Sequence, residues 1–359
     1  MRQLPVLIVG GGPAGSAAAV TLAQGGIAAE LIERQAGPQD VVCGGFLGWD
    51  ALAALRRLGL DPAELGAHPI TRLRLLAGTR VAEAALPRPA AGLSRRTLDA
   101  AMLDHAAAAG AQVRRGIAVK AADDKIVRLD TGEEIDAGAL FLATGKHELR
   151  GLQRPLSRRA AGAVGLRTSF DPRPRTRAEL EGYIELHPFD GGYAGLLLQE
   201  DGRANLCLSV AAARLRASGG IPDLLIDLAR EAPRFGERLA ETGDQPWLSI
   251  SNVPYGWRVR DTASGLFRLG DQAAVIASLA GDGIAVALTS GLAAAEAHLA
   301  GRSAADYQHA FSGRAARPLA VAQGLRWAAE RRLPRRLIVG LAARAPILAR
   351  LGARATRIA

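Results

Sequence analysis

The chain has 359 residues, 49% apolar and 4% aromatic, a balance that suits a folded core and excludes a disordered or fibrous chain. No charged leader opens it and no uninterrupted apolar run could span a bilayer, so a cytoplasmic protein is expected. The formal charge of +10 is concentrated, since residues 314–357 hold eleven arginines against one acid, Glu330, which accounts for the whole excess. Two cysteines, Cys43 and Cys207, are too few for a disulfide framework or a zinc cluster. The six histidines lack paired metal spacing, so no metal is expected.

The first element is "LPVLIVG", a short β-branched run from Leu4 suited to a buried parallel strand. "GGGPAGSAAAVTLAQGG" follows. Gly10 permits a tight turn, Gly12 lets backbone approach a pyrophosphate, and Gly15 lets a helix pack close to the strand. Pro13 and Ala14 open that helix, whose free N–H groups and dipole favour phosphate. A second strand, "AAELIER", ends at Glu33 and Arg34; a carboxylate there accepts from a ribose diol and disfavours a 2′-phosphate. Strand, turn, helix and acid together specify dinucleotide binding, whereas the glycines alone do not.

Next come "CGGFLGWDALAALRRLGL" at 43–60, a glycine-rich loop and a helix, and the alternating runs "PITRLRLLAG" and "RVAEAALP". In "LSRRTLD" Arg95 opens a helix that Ser94 or Thr97 caps, with Arg96 beside it. Residues 111–145 read as successive short strands with turns at Asp123-Asp124 and Thr131-Gly132, closing beside the first strand and ending at Gly145, before Lys146 and His147. The runs "AAGAVGLRTSF", "EGYIELHPF", "GGYAGLLLQED" and "RANLCLSVA" alternate apolar and polar residues, as half-buried antiparallel strands do. Cys207 in the last of these reads as core.

After "SNVPYGWRV" comes "LFRLG", a strand that delivers Asp271, and then Gly281 and Gly283 bracket Asp282 before a long small-residue helix. A second helix start therefore lies far along the chain from the first turn. An extended ligand would use Asp271 for ribityl hydroxyls and the N–H groups of Gly283 and Ile284 for a flavin O2. No second glycine turn appears, so NAD(P)H is expected only as a transient electron donor. The remainder is helical in pattern, broken by Pro318, Pro334 and Pro346, with Arg350, Arg354 and Arg357 on one face. Aromatic residues are not interleaved with these arginines, so nucleic acid is not expected. A helix packed on the cofactor domain and a helix lying on an anionic membrane both suit this pattern.

These stretches resemble the p-hydroxybenzoate hydroxylase superfamily of FAD-dependent monooxygenases, which includes the geranylgeranyl reductases. "GGGPAGSAAA" with Glu33, "GLSRRTLDAAML" and "GDQAAVIASLAGDGIAVAL" match its three FAD stations in order, and residues 43–60 resemble the Cys-Gly-Gly stretch of the reductase branch. "LFLATGKHELRG" and "GYAGLLLQEDGRANLCLSV" look closer to flavoproteins paired with type III polyketide synthases. The proline usual before the second glycine pair is missing; Ser278-Leu279-Ala280 stands there, which leaves the shape of that flavin loop open.

The resemblance implies an α/β, overall α+β, fold: a Rossmann-type FAD-binding domain from residues 1–65, 93–150 and 260–305, an antiparallel-sheet substrate domain from 66–92 and 151–259, and C-terminal helices at 306–359. It implies FAD contacts from Gly10, Gly12, Pro13, Ala14, Gly15, Glu33 and Arg34 at the first station. Cys43, Gly44, Arg95, Gly145, Asp271, Gly281, Gly283 and Ile284 would supply the others.

The activity implied is hydroxylation of a phenolic or polyketide-derived aromatic through a flavin hydroperoxide. The alternative is reduction of an isoprenoid or other lipid double bond, and a weaker one is a non-catalytic flavin-binding protein with a basic membrane-surface tail. A group that takes or stabilises a phenol's proton would assist hydroxylation. His187, Tyr183 and Tyr193 are candidates, with Tyr255 and Trp257 lining the pocket and Cys43 against flavin or substrate. Each of these residue types is more often a packing residue than a participant in chemistry.

Overall fold

The computed structural model describes residues 5–78, 80–155 and 162–358. Leu4, where the first strand was expected to begin, and the first two residues of "AAGAVGLRTSF" lie outside them.

Five parallel strands form one sheet in the order Leu266–Arg268, Ala139–Leu142, Val6–Val9, Glu30–Glu33, Gln112–Arg115. Every residue of Ala139–Leu142 is buried, as a central parallel strand covered on both faces requires. On one face lie the helices Pro13–Gln24 and Gly283–Leu299, which share the largest hydrophobic core with Ile8, Leu31 and Phe141. On the other, Leu7, Val9 and Leu140 pack beneath a separate three-stranded sheet, Val119–Asp123, Ile126–Leu129 and Glu134–Asp136. Of the short strands expected in 111–145, only the outer two therefore join the parallel sheet.

The two helices approach closely because both are built of small residues. A Cβ on Gly291 would lie 2.2 Å from the carbonyl oxygen of Ala14, so no larger residue fits there without separating them. A Cβ on Gly15 would likewise meet the oxygen of Gly10 at 1.9 Å, and Gly10 has a φ of 106°, open to glycine. These contacts set both helix N-termini at the C-terminal edge of the parallel sheet.

The second large sheet has eight strands: Leu248–Val253, Ala163–Phe170, Ala204–Ala211, Gly192–Leu198, Tyr183–Phe189, His68–Ala77, Arg80–Gly92 and Phe46–Leu47. It is mixed, not purely antiparallel as expected, because Tyr183–Phe189 runs parallel to His68–Ala77. The helix Pro174–Leu180 precedes Tyr183–Phe189 and brings it in from the same end. Strand alternation then sorts that strand by parity. Tyr183, Glu185 and His187 point to the face bearing the helix Pro233–Ala240, and Ile184, Leu186 and Pro188 line a cavity on the other.

Glu185 is the hub of the charged face. Its carboxylate accepts from Arg74 at 2.8 Å and Arg238 at 3.2 Å, and lies 3.3 Å from His187. Burial alone would raise its pKa, but His187 and Arg238 outweigh it and bring the group down to about 2.

The helix Ala304–Ala329 contains Pro318 in its interior, so that proline does not end a helix as expected. Pro334 falls in the first turn of Arg332–Arg344, and Pro346 opens Pro346–Ala355, positions where a missing N–H is no loss. The last two helices pack on the ribbon formed by His68–Ala77 and Arg80–Gly92, through Val339 and Ala342 against Ala77 and Ala82. Arg357 lies beyond the final helix and leaves the face that Arg350 and Arg354 were expected to share with it.

Gly291→Val should destabilise the protein by about 1–3 kcal/mol, through forced separation of the two helices; a denaturant titration reads this, and an unchanged midpoint would refute the close contact. Glu185 has a folded-state pKa below its ordinary 4.5, so its contribution is complete above about pH 4.5 and is lost as the pH falls towards 2. Glu185→Gln should remove that acid dependence and cost about 1–3 kcal/mol at neutral pH, because buried Arg238 is left with Glu179, at 2.6 Å, as its remaining carboxylate. Urea midpoints across the acid range measure both effects.

Candidate active site

A cavity of about 510 Å³ runs from the two helix starts, across the eight-stranded sheet, to the C-terminal helices. Its inner end is built from the pieces the sequence marks. Pro13 and Ala14 of the first helix, Gly145 after the Ala139–Leu142 strand, Asp271 on the turn Gly270–Gln272, and Gly281, Gly283 and Ile284 all line it.

Neither helix start is capped by a side chain. Gly12 has none to offer, and Asp282 makes no capping bond to the helix it precedes. Instead the Asp282 carboxylate accepts from Arg357 Nη1 at 2.6 Å and from the amide of Ile358 at 3.2 Å. Burial raises Asp282 to about 6 against the pull of Arg357. The first-turn amides of both helices are thus left for an anionic or carbonyl ligand. Glu33 lies at the end of its strand with Oε2 2.7 Å from the amide of Gly11 and Oε1 2.9 Å from that of Gln35. This orients a carboxylate beside the glycine turn with, among the described residues, no ion-pair partner at either oxygen. Two uncapped helix starts, a glycine cradle with no room for a Cβ, and a fixed acid fit FAD.

Arg95 crosses the middle of the site. Its guanidinium is bidentate to Asp99, at 2.6 Å for each bond, and comes 3.2 Å from the position a Cβ on Gly12 would take. Cys43 lines the same cavity as Arg95. Ser94 is the cap of that helix, accepting from the Thr97 amide at 3.1 Å, and Glu200 from the sheet binds both hydroxyls. Lys146 pairs with Asp271 at 3.2 Å; the charge of Asp271 raises its pKa despite burial. Arg34 turns away from the cavity towards His147, at 2.8 Å. His147 is lowered by burial and by the charge of Arg34.

The Cys43-Gly44-Gly45 loop is fastened to the sheet. Asn205 Nδ2 donates to the carbonyl of Gly44 at 2.8 Å and of Cys43 at 3.2 Å, and Arg167 Nε holds Asn205 Oδ1 at 2.7 Å. Cys43, Gly44 and Gly45 all line the cavity. Cys207 does too, and is not simply core as the sequence suggests; burial pushes its thiol up to about 12.

Among the residues proposed for proton handling, geometry divides sharply. His187 is a correction: it is buried on the far face of the sheet, stacked on Phe235 with ring centroids 4.8 Å apart and paired with Glu185. Tyr183 shares that face, donating to Glu83 at 3.1 Å. Trp257 is also corrected, lying outside the cavity wall beneath the Arg154 guanidinium. Tyr193 and Tyr255 do line the cavity, and a residue the sequence reading did not single out joins them. Ser278 Oγ is hydrogen bonded to the hydroxyl of Tyr193 and, at 2.6 Å, to that of Tyr255. Burial first, then Tyr255, raises the Tyr193 pKa well above its ordinary value, so this phenol stays neutral. Ser278 stands on the turn Ser278–Ala280 just before the second helix start, in the stretch where the family resemblance leads one to expect a proline. That departure was the available signal.

The outer arm of the cavity is mostly apolar, with Arg335, Thr356 and Arg357 also on its wall. Leu73, Leu75 and Leu86 of the ribbon face Ile338, Leu341 and Leu348 of the last two helices. Among the described residues no group of histidines, cysteines and carboxylates could hold a metal.

Residues 3–147 match the family described as FAD binding domain. The menaquinone reductase of Mycolicibacterium smegmatis is 28% identical over 332 residues, covering 85% of this chain and 78% of that protein. The chloroplastic geranylgeranyl diphosphate reductase of Nicotiana tabacum is 39% identical over 124 residues, but these span only 33% of this chain and 26% of the tobacco protein. Among solved structures, a triple mutant of the flavin-dependent brominase Bmp2 superposes with a TM-score of 0.77 at 16% identity, covering 97% of this chain and 93% of that one. Pseudomonas aeruginosa PqsL in complex with 2-aminobenzoylacetate gives 0.75 at 19% identity, covering 95% and 99%. Residues 3–147 are therefore an FAD binding domain, and the chain is an FAD-dependent oxidoreductase.

Proposed function

We propose that this oxidoreductase is a monooxygenase that hydroxylates a phenolic, polyketide-type ring bearing a long apolar substituent, with NAD(P)H as a transient electron donor. One observation carries the reading: a chain of three hydroxyls, Tyr193, Ser278 and Tyr255, next to the second helix start, at the inner end of a cavity whose outer arm is rich in leucine and isoleucine. FAD, when bound and reduced, supplies the chemistry by which dioxygen gives one atom to the ring and one to water.

The chain's own residues then have distinct tasks. Gly283 and Ile284 would present helix-start amides to the flavin O2 side, and Glu33 would hold the adenosine ribose. Arg95 and Asp271, on the cavity wall, would serve the phosphates and the ribityl chain. Tyr193 is no base, because its own proton is held so firmly. As a neutral hydroxyl it would bind the substrate phenol oxygen, and the chain Tyr193, Ser278 and Tyr255 would carry the phenol's proton outward by a shift of one proton per hydroxyl, half-buried Tyr255 releasing its own to water. The leucine-rich arm takes the apolar substituent and keeps water from the reacting edge.

A second reading, reduction of an isoprenoid double bond, is favoured by Cys43 on the cavity wall and by the similarity to menaquinone reductase. The two separate by their need for oxygen. Incubation with an alkylated resorcinol, NAD(P)H and labelled dioxygen should yield a product carrying one labelled oxygen atom. Turnover of polyprenyl substrates in the absence of oxygen, abolished in Cys43→Ala, would replace the first reading with the second.

Tyr193→Phe should lower kcat roughly 10²-fold while leaving FAD content unchanged, since the hydroxyl acts on substrate and not on cofactor. An undiminished kcat would remove the hydroxyl chain from the mechanism. Glu33→Ala should weaken FAD binding by about 10- to 100-fold, the value of a charge-assisted hydrogen bond, as measured by fluorescence titration of apoprotein.

A further inference from the structure

We infer that the last two helices, Arg332–Arg344 and Pro346–Ala355, form a docking face for an anionic lipid bilayer, and that the cavity opens through this face. The inference does not depend on which reaction the site performs.

Three observations converge. The first is an apolar stripe left exposed among the described residues. Leu333, Leu337 and Leu341 follow one another at intervals of four residues, one per helical turn, and are 73%, 67% and 53% exposed. Ile347 and Leu351 repeat the spacing on the next helix and are about half exposed. Scattered exposed leucines are ordinary on any surface, but a contiguous set on two successive helices is not. The opposite face of the same helices is accounted for, because Val339 and Ala342 are buried against the ribbon.

The second observation is charge. Between residues 331 and 358 there is no acid. Arg335 pairs with Asp190 and Arg357 with Asp282, which fasten the helices to the body. Arg332, Arg336, Arg344 and Arg354 are exposed and, among the described residues, have no carboxylate partner. Long guanidinium side chains beside an apolar stripe reach up to lipid phosphates while the leucines enter the acyl boundary. A second copy of this face would bring like charges together, which disfavours self-association as its purpose.

The third is continuity with the cavity. Leu341 and Leu348 are 53% and 44% exposed, yet both are part of the cavity wall. The apolar patch therefore rims an opening, and an amphiphile with its tail in a bilayer can enter tail-last or tail-first without crossing water. No helix among the described residues is long and apolar enough to cross a membrane, so the contact lies along the surface.

Co-sedimentation of the FAD-loaded, full chain with phosphatidylcholine vesicles, with and without phosphatidylglycerol, tests this. Binding should require the anionic lipid and should fall as salt rises. Leu333→Asp with Leu337→Asp should cut the partition coefficient at least about 10-fold at an unchanged melting temperature, since both side chains are exposed. Arg332→Gln, Arg336→Gln and Arg344→Gln together should cut it roughly 10²-fold on anionic vesicles alone. Equal binding to both vesicle types, no binding to either, or indifference to the leucine substitutions would overturn the inference. So would sedimentation showing a dimer that Leu337→Asp dissolves, for the face would then belong to a second copy.

Discussion

The close approach of two small-residue helices is the constraint on which the rest depends. Gly291 lies against the Ala14 carbonyl, and this contact alone decides that two helix starts some 270 residues apart open onto the same space. Each start is left without a side-chain cap. Helix starts are ordinarily satisfied by a serine, threonine or aspartate, and the helix at Arg95, with Ser94, shows the chain using that device elsewhere. Leaving two of them open costs stability in the empty protein and reserves their amides for a ligand long enough to reach both.

The site is assembled by elements with unequal stakes in it. The parallel sheet and its helices hold the cofactor end, and the eight-stranded sheet supplies one wall of the chamber. The final helices supply the other. The linkage between cofactor end and final helices is explicit, since Arg357 binds the carboxylate of Asp282, the residue just before the second helix start. Asp282 thus ties the C-terminal segment where a capping side chain would otherwise have turned inward. Packing, charge pairing and ligand space are here consequences of a single rotamer.

The cofactor end was largely legible in the sequence, because its signals are local. Gly10, Gly12 and Gly15 are needed at fixed offsets by a turn, and Glu33 by the end of a strand. The chamber was much less legible. Tyr183 and His187 were proposed for it together with Tyr193, but strand parity places the first two on the opposite face, and parity states only that alternate residues part company, not which set meets the cavity. The mixed pairing of Tyr183–Phe189 with His68–Ala77 is a long-range choice that no local pattern encodes. Ser278 was visible only as a departure from the proline that the family resemblance implied, and its hydroxyl contacts could not be read without the fold. Pro318 within a helix shows the same limit, tertiary packing overriding a strong local preference.

The parity of Tyr183–Phe189 also restricts how this segment can change over evolutionary time. Gain or loss of one residue within it would turn the strand half over, carrying Glu185 and His187 into the oily chamber and Ile184 and Leu186 among the guanidinium groups of Arg74 and Arg238. Both environments would fail at once. Substitution can therefore retune the shape of the chamber from this strand, residue by residue, while length variation is confined to the loops at its ends.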